Sequence, residues 1–225
     1  MNIPIVLLPS ALLGGEAWSD VRAVLAARGH TASVAATRSA QTPQEAAAAY
    51  AAAVPIGDRV VLVPHSNAGL YVPQLAATRQ VAACVFVDAS LPPATGAAAS
   101  ATGRRREHLA LMADADGLLP VWTDWWEEAD LAELLPDMRI RRRVASGQTR
   151  LPLAYFDTPI PVPADWQSLP CAYLSFGGGQ PAEVASATER GWPVEELMGH
   201  HLHLLTDPEE VATGIIKLVD RLLKA

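Results

Sequence analysis

The sequence predicts an α/β domain, a mostly parallel sheet of about six strands with helices on both faces, and three observations carry that expectation. Short apolar runs alternate with alanine-rich stretches of helical length along most of the chain. Half of the 225 residues are hydrophobic, enough for one large core but cramped for two, so residues 1–225 read as one domain. The apolar run Val60-Val61-Leu62-Val63 stops at Pro64-His65-Ser66 and restarts as the small-residue stretch Asn67-Ala68-Gly69. That is the pattern of a buried parallel strand leading through a serine on a tight turn into a helix.

Residues 3–8 read as the first strand. They are apolar, bounded by Pro9 and too short to span a bilayer, and without a basic leader or small-residue cleavage site the chain reads as a soluble cytoplasmic protein. A helix over 17–28 and a strand over 31–35 follow. Thr42 before Pro43 pairs a capping residue with a proline at the first helical position and starts a helix over 43–53. Strands over 59–63 and 82–87 flank a helix over 68–78. Farther on come a strand over 171–176, a helix over 182–190, a strand over 194–197 and a last helix over 208–223, where Asp207-Pro208 repeats the capping device. Cys84 and Cys171 fall inside strands without the spacing of a redox pair or a metal site, and read as buried free thiols.

The alternation breaks over residues 89–169, which read as a cap-like insertion with no clear strand. Trp122, Trp125 and Trp126, followed by Leu131, Leu134 and Leu135, suggest short amphipathic helices over the carboxyl edge of the sheet, and the proline-rich 155–163 should run extended. A cap above a serine would exclude water and shape a pocket; the tryptophans equally suit anchoring of the insertion. Arg104-Arg105-Arg106 and Arg141-Arg142-Arg143 offer guanidinium forks for a planar anion, although such runs are more often solvated faces. With 17 basic against 24 acidic side chains the net charge is −7, which disfavours nucleic acid as a partner. A membrane partner is not expected either, and a monomer and a homo-oligomer are both compatible with the composition.

Serine attacks only when a base takes its proton. His200, His201 and His203 follow the last predicted strand and therefore lie at the same sheet edge as Ser66; no carboxylate or cysteine is spaced near them for a metal.

On Leu7-Leu8-Pro9-Ser10-Ala11, Trp18, Arg28-Gly29-His30, the His65-Ser66-Asn67-Ala68-Gly69 elbow, Val87-Asp88-Ala89-Ser90-Leu91-Pro92 and the histidine loop, the chain resembles a small, trimmed member of the α/β-hydrolase superfamily, of the type found in actinobacterial natural-product pathways. Pro64 departs from the family pattern, which has glycine there. The resemblance implies Ser66 as nucleophile and a base a fixed step before the proline of the last helix, which selects His201, with His200 second and His203 in a packing or pocket role. Its usual acid position, in the loop 177–183, holds no aspartate. That leaves Asp88 as the expected acid, Glu183 as the alternative, and turn capping as Asp88's other use. The oxyanion donors implied are the amides of Asn67 and Ala11, with Leu12 in place of Ala11 as the variant. Ser10, Leu12, His65, Trp122, Trp125 and Trp126 are the candidate substrate contacts, and no metal or organic cofactor is called for. The activity implied is serine-dependent cleavage of an ester or thioester of a small natural-product-like molecule. Two alternatives accompany it: elimination of acetate from an acetylated tetronate to form an exocyclic double bond, and a degenerate hydrolase retained as a binding protein.

Overall fold

The computed structural model describes residues 3–224. Six of its strands form one sheet: β1 (Ile5–Leu8), β2 (Ala32–Val34), β3 (Val60–Pro64), β4 (Val81–Val87), β7 (Cys171–Phe176) and β8 (Val194–Leu197), in the order β2-β1-β3-β4-β7-β8. Every neighbouring pair in it is parallel. Strand alternation explains why β3 is apolar throughout. Val60 and Leu62 face a core cluster with Tyr50 and Leu75, from α2 (Pro43–Ala53) and α3 (Val72–Thr78). Val61 and Val63 face a second cluster with Val21 and Leu25 of α1 (Ser19–Ala27) and with Val211 and Ile215 of the last helix, Pro208–Lys224. A strand covered on both faces has no position left for a polar side chain. Pro64 is registered with Leu8 of β1 and, on the β4 side, falls in the gap between the Leu62–Cys84 pair and the isolated His65–Val87 bridge, where no ladder pair involves it.

The expected helix starts are built as capping chemistry requires. The Thr42 hydroxyl accepts the Glu45 N–H at 3.2 Å, while the Glu45 carboxylate reaches back to the Gln41 N–H at 2.7 Å. Asp207 accepts the Glu210 N–H at 2.9 Å at the start of the last helix. The expected helix over 68–78 is in fact two pieces, a 3₁₀ segment Ser66–Tyr71 and then α3. Pro73 lacks an N–H and is accepted only in a first helical turn, so the α-helix begins at Val72.

Residues 89–169 hold β5 (Gly96–Ala98), α4 (Gly103–Met112), α5 (Glu128–Leu134), α6 (Met138–Gly147), α7 (Leu153–Asp157) and β6 (Ile160–Val162). The expectation of no strand in this stretch is corrected: β5 and β6 pair antiparallel, Gly96 with Val162 and Ala98 with Ile160. Strands of three residues are too short to display a period, and Pro161 hid one of them. Its side chain and its absent donor lie at an exposed edge, where proline is allowed. Within α6, Arg141 is buried, donating to the Leu135 carbonyl at 2.5 Å and to Glu128 at 2.7 Å, and Arg143 pairs with Asp20 of α1, tying this stretch to the sheet layer. The remaining helices are α8 (Pro181–Glu189), α9 (His203–Thr206) and α10 (Pro208–Lys224). Among the described residues no helix is long and apolar enough to cross a membrane. Cys84 and Cys171 are buried and free, facing each other across the β4–β7 pair.

The turn after β3 sets a steric requirement. A Cβ on Gly69 would stand 2.2 Å from the Ser90 carbonyl oxygen and 3.2 Å from Phe86 Cδ1. Both are backbone or packed core, with nowhere to yield. Gly69→Ala should cost about 3 kcal/mol of folding free energy, as overpacking at a rigid site does, read as a lowered midpoint in urea unfolding.

Candidate active site

The order of strands reverses between β1 and β3, since the chain runs outward through β2 on one side and through β4, β7 and β8 on the other. Loops leaving the two strands part there, and the crevice at their carboxyl ends is where open α/β sheets bind ligands. Ser66 stands in that crevice with φ +57°, a left-handed conformation that costs a non-glycine residue about 1–3 kcal/mol. Main-chain bonds hold it there: the Ser90 N–H donates to the Ser66 carbonyl at 3.0 Å, and His65 N–H to Leu8 at 3.0 Å. The elbow therefore lifts the hydroxyl away from the sheet on a rigid support.

Asp88 ends β4 in a similar way, with φ +39° and no solvent exposure. Its Oδ2 lies 2.6 Å from His201 Nδ1, and its Oδ1 accepts the Phe176 N–H at 3.3 Å. A carboxylate oxygen only accepts, so Nδ1 carries the hydrogen and Nε2 keeps its lone pair. Ser66 and His201 line one cavity of about 210 Å³. No hydrogen bond joins the two side chains among the described residues; in unliganded enzymes such bonds are commonly long and close in the substrate complex. Gly177, at φ +56°, lets the loop after β7 meet the histidine loop, for a Cβ there would stand 2.0 Å from the Gly199 carbonyl oxygen.

Two backbone amides at the crevice, those of Ala11 and Asn67, have no acceptor among the described residues. Leu12 is different. Its N–H is taken by the Ser10 hydroxyl at 3.2 Å, so of Ala11 and Leu12 it is Ala11 whose N–H is left unpaired. Ser10, Leu12, Trp122 and Trp126 line the cavity with Ser66, and the two indoles lean together with ring centroids 5.4 Å apart.

Other expected site residues lie elsewhere. Trp125 does not reach the cavity; its indole N–H donates to the Pro120 carbonyl at 2.9 Å and its ring packs on the core. Trp126 follows the 3₁₀ turn Trp122–Trp125 in extended backbone, which turns its side chain away from that of Trp125. His65, expected to touch substrate, is fully buried, and its Nε2 donates to the His201 carbonyl at 2.9 Å. Its ring centroid lies 4.6 Å from that of His201, so it supports the histidine loop from beneath. Glu183, the alternative acid, accepts the Leu91 N–H at 3.1 Å, and burial pushes its carboxyl above the ordinary value; His201 is paired with Asp88 instead. His200 uses Nδ1 to accept the Leu202 N–H at 3.2 Å.

The view that no carboxylate is placed for a metal near these histidines needs amending. Ligand atoms of His203, Asp207 and Glu210 come within 4.8 Å of one another where the chain passes from one short helix, His203–Thr206, into the last. Each already has a protein partner: His203 Nε2 meets Glu210 at 2.7 Å, and Asp207 caps α10. A wider depression of about 380 Å³ opens at the other end of the sheet, near Val81 and Pro170, away from Ser66 and His201.

No family model matches this chain, and no curated protein matches it in sequence. Solved structures do match. A methylesterase from Arabidopsis aligns with TM-score 0.74 at 12% identity, over 97% of this chain and 99% of that one. A variant of tomato methylketone synthase I complexed with beta-ketoheptanoate aligns with TM-score 0.73 at 12% identity, over 99% and 98%. A pyrethroid hydrolase from Sphingobium faniae aligns with TM-score 0.67 at 19% identity, over 97% of each chain. The chain has the α/β-hydrolase fold, on a six-stranded parallel sheet.

Burial, and then the neighbouring His201, hold the His65 imidazole well below its usual pKa, so it is neutral in the folded protein. Once unfolded, it takes up a proton as the pH falls below about 6.5. The unfolded state then binds more protons than the native state, and stability falls with falling pH. That loss should reach about 1.4 kcal/mol per pH unit from this residue between pH 6.5 and 5. His65→Gln should flatten the slope by that amount in denaturant titrations at successive pH values.

Proposed function

We propose that this chain is a serine hydrolase that cleaves an ester or thioester of a small molecule, with Ser66 as nucleophile, His201 as general base and acid, and Asp88 as the group that orients the imidazole. The observation that carries the reading is the 2.6 Å contact between His201 Nδ1 and the buried Asp88 carboxylate, on a histidine that shares a cavity with a strained serine. In the first half-reaction Nε2 takes the Ser66 proton as Oγ bonds to the acyl carbon. The tetrahedral oxyanion is met by the Asn67 and Ala11 amides. Collapse expels the alcohol or thiol, which leaves with the proton from His201. Water, deprotonated by the same nitrogen, then releases the acid and restores Ser66.

Asp88 orients the ring and balances the imidazolium that forms, while its own burial without other cations depends on that pairing. The cavity, about 210 Å³, is below the usual range for drug-sized ligands and suits a compact acyl group. A natural-product-like ester of that size is the substrate class we assign.

Four measurements test this. A fluorophosphonate should modify the protein once, at Ser66, and Ser66→Ala should abolish both labelling and ester hydrolysis; labelling at another residue, or none in folded protein, would sink the assignment. Asp88→Asn should lower kcat by about 10³ to 10⁴-fold with folding intact, because the amide favours the wrong histidine tautomer. Glu183→Gln should leave kcat within about threefold, since its carboxylate serves the Leu91 amide. Product analysis by mass spectrometry should find alcohol and acid; alkene with acetate would move the reaction to elimination.

A further inference from the structure

Arg105 lines the same cavity as Ser66 and His201, yet acyl transfer by serine, histidine and aspartate makes no use of it. Its surroundings differ from those of the neighbouring arginines. Arg106 pairs with Asp157, Arg141 with Glu128, Arg143 with Asp20 and Arg150 with Asp114. Arg105 has no hydrogen bond and no ion pair among the described residues. Arg104 and Arg142 also lack a carboxylate partner and, like Arg105, are exposed, but they do not line the cavity. The cavity wall holds no aspartate or glutamate, so the permanent charge it carries is a positive one, in a chain of net charge −7.

Arg105 is exposed, although nearby protein removes enough hydration from the guanidinium to lower its pKa; it stays a cation at any physiological pH. A cation at the cavity wall with no counter-charge attracts an arriving anion. The planar guanidinium offers two parallel N–H donors, a match for a carboxylate or another flat oxyanion. Trp122 and Trp126 supply the apolar wall beside it.

We infer that Arg105 is a specificity-determining residue that selects substrates carrying a carboxylate, or a comparably planar oxyanion, outside the acyl bond being cleaved. The position of that anion relative to the scissile carbonyl rests on the acyl-transfer reading of the site. The preference for an anion in the cavity does not.

A binding experiment separates the two. Tryptophan fluorescence should report 4-ethylbenzoate binding about tenfold more tightly than the isosteric 4-ethylbenzamide. That preference should vanish in Arg105→Gln, persist in part in Arg105→Lys, survive in Ser66→Ala and weaken with added salt, with circular dichroism confirming that the variants fold. In turnover, the 4-nitrophenyl monoester of glutaric acid should show a lower KM than 4-nitrophenyl pentanoate, and Arg105→Gln should remove the difference. Equal binding of benzoate and benzamide by the unmodified protein, or a preference unchanged in Arg105→Gln, overturns the inference. Retained benzoate preference in a protein that neither hydrolyses esters nor reacts with a fluorophosphonate would uphold Arg105 as the anion site and overturn the hydrolase reading instead.

Discussion

The contact between Asp88 and His201 is the constraint on which the site depends. A carboxylate with no solvent exposure is stable only if its charge is met by donors. Asp88 has two, the Phe176 N–H and the His201 ring. Those donors come from β7 and from the loop that precedes α9 and α10, whereas the acid itself ends β4. One buried charge therefore fixes three separate stretches of chain relative to one another. The left-handed backbone at Asp88 and at Ser66 shows the same logic, since local strain persists only where the surroundings over-determine the conformation.

Around this pair the layers divide the work. The parallel sheet supplies rigidity: its central strands β1, β3, β4 and β7 are covered on both faces, and Ser66 and Asp88 lie just beyond the last apolar positions of β3 and β4. His65 belongs to the support. It is neutral, fully buried and bonded to the His201 carbonyl, so it steadies the histidine loop through the main chain and leaves the imidazole free to exchange protons. Residues 89–169 contribute the wall that faces Ser66, with Trp122, Trp126 and Arg105. On the proposed reading, reaction and selection sit on different parts of the chain, with Ser66, Asp88 and His201 at the sheet edge and Trp122, Trp126 and Arg105 in the stretch beyond β4.

Much of the architecture was legible from residue patterns. The six sheet strands fall within two residues of their expected limits, and for the central four the reason is that a strand buried on both faces must be apolar along its whole length. Capping residues marked the starts of α2 and α10 for an equally local reason. The stretch over 89–169 resisted. β5 and β6 are three residues each, and their pairing joins segments more than sixty residues apart, so neither length nor period announced them. Trp125 and His65 adjoin the cavity-lining Trp126 and Ser66 in sequence, but adjacency says little where extended backbone points successive side chains to opposite sides.

The sequence by itself determined the fold class, the elbow at Ser66 and the presence of histidines at the same sheet edge, since each follows from short-range patterns of apolar, small and capping residues. Which carboxylate meets the imidazole, which amides stay unpaired, and which of several arginines faces the cavity were decided by tertiary structure alone. Asp88 and Glu183 are equally acidic on paper, and Arg104, Arg105 and Arg106 are identical side chains in succession. What separates them is the direction in which a folded backbone aims each one and the company it meets there, and those are properties of the assembled layers, not of any segment.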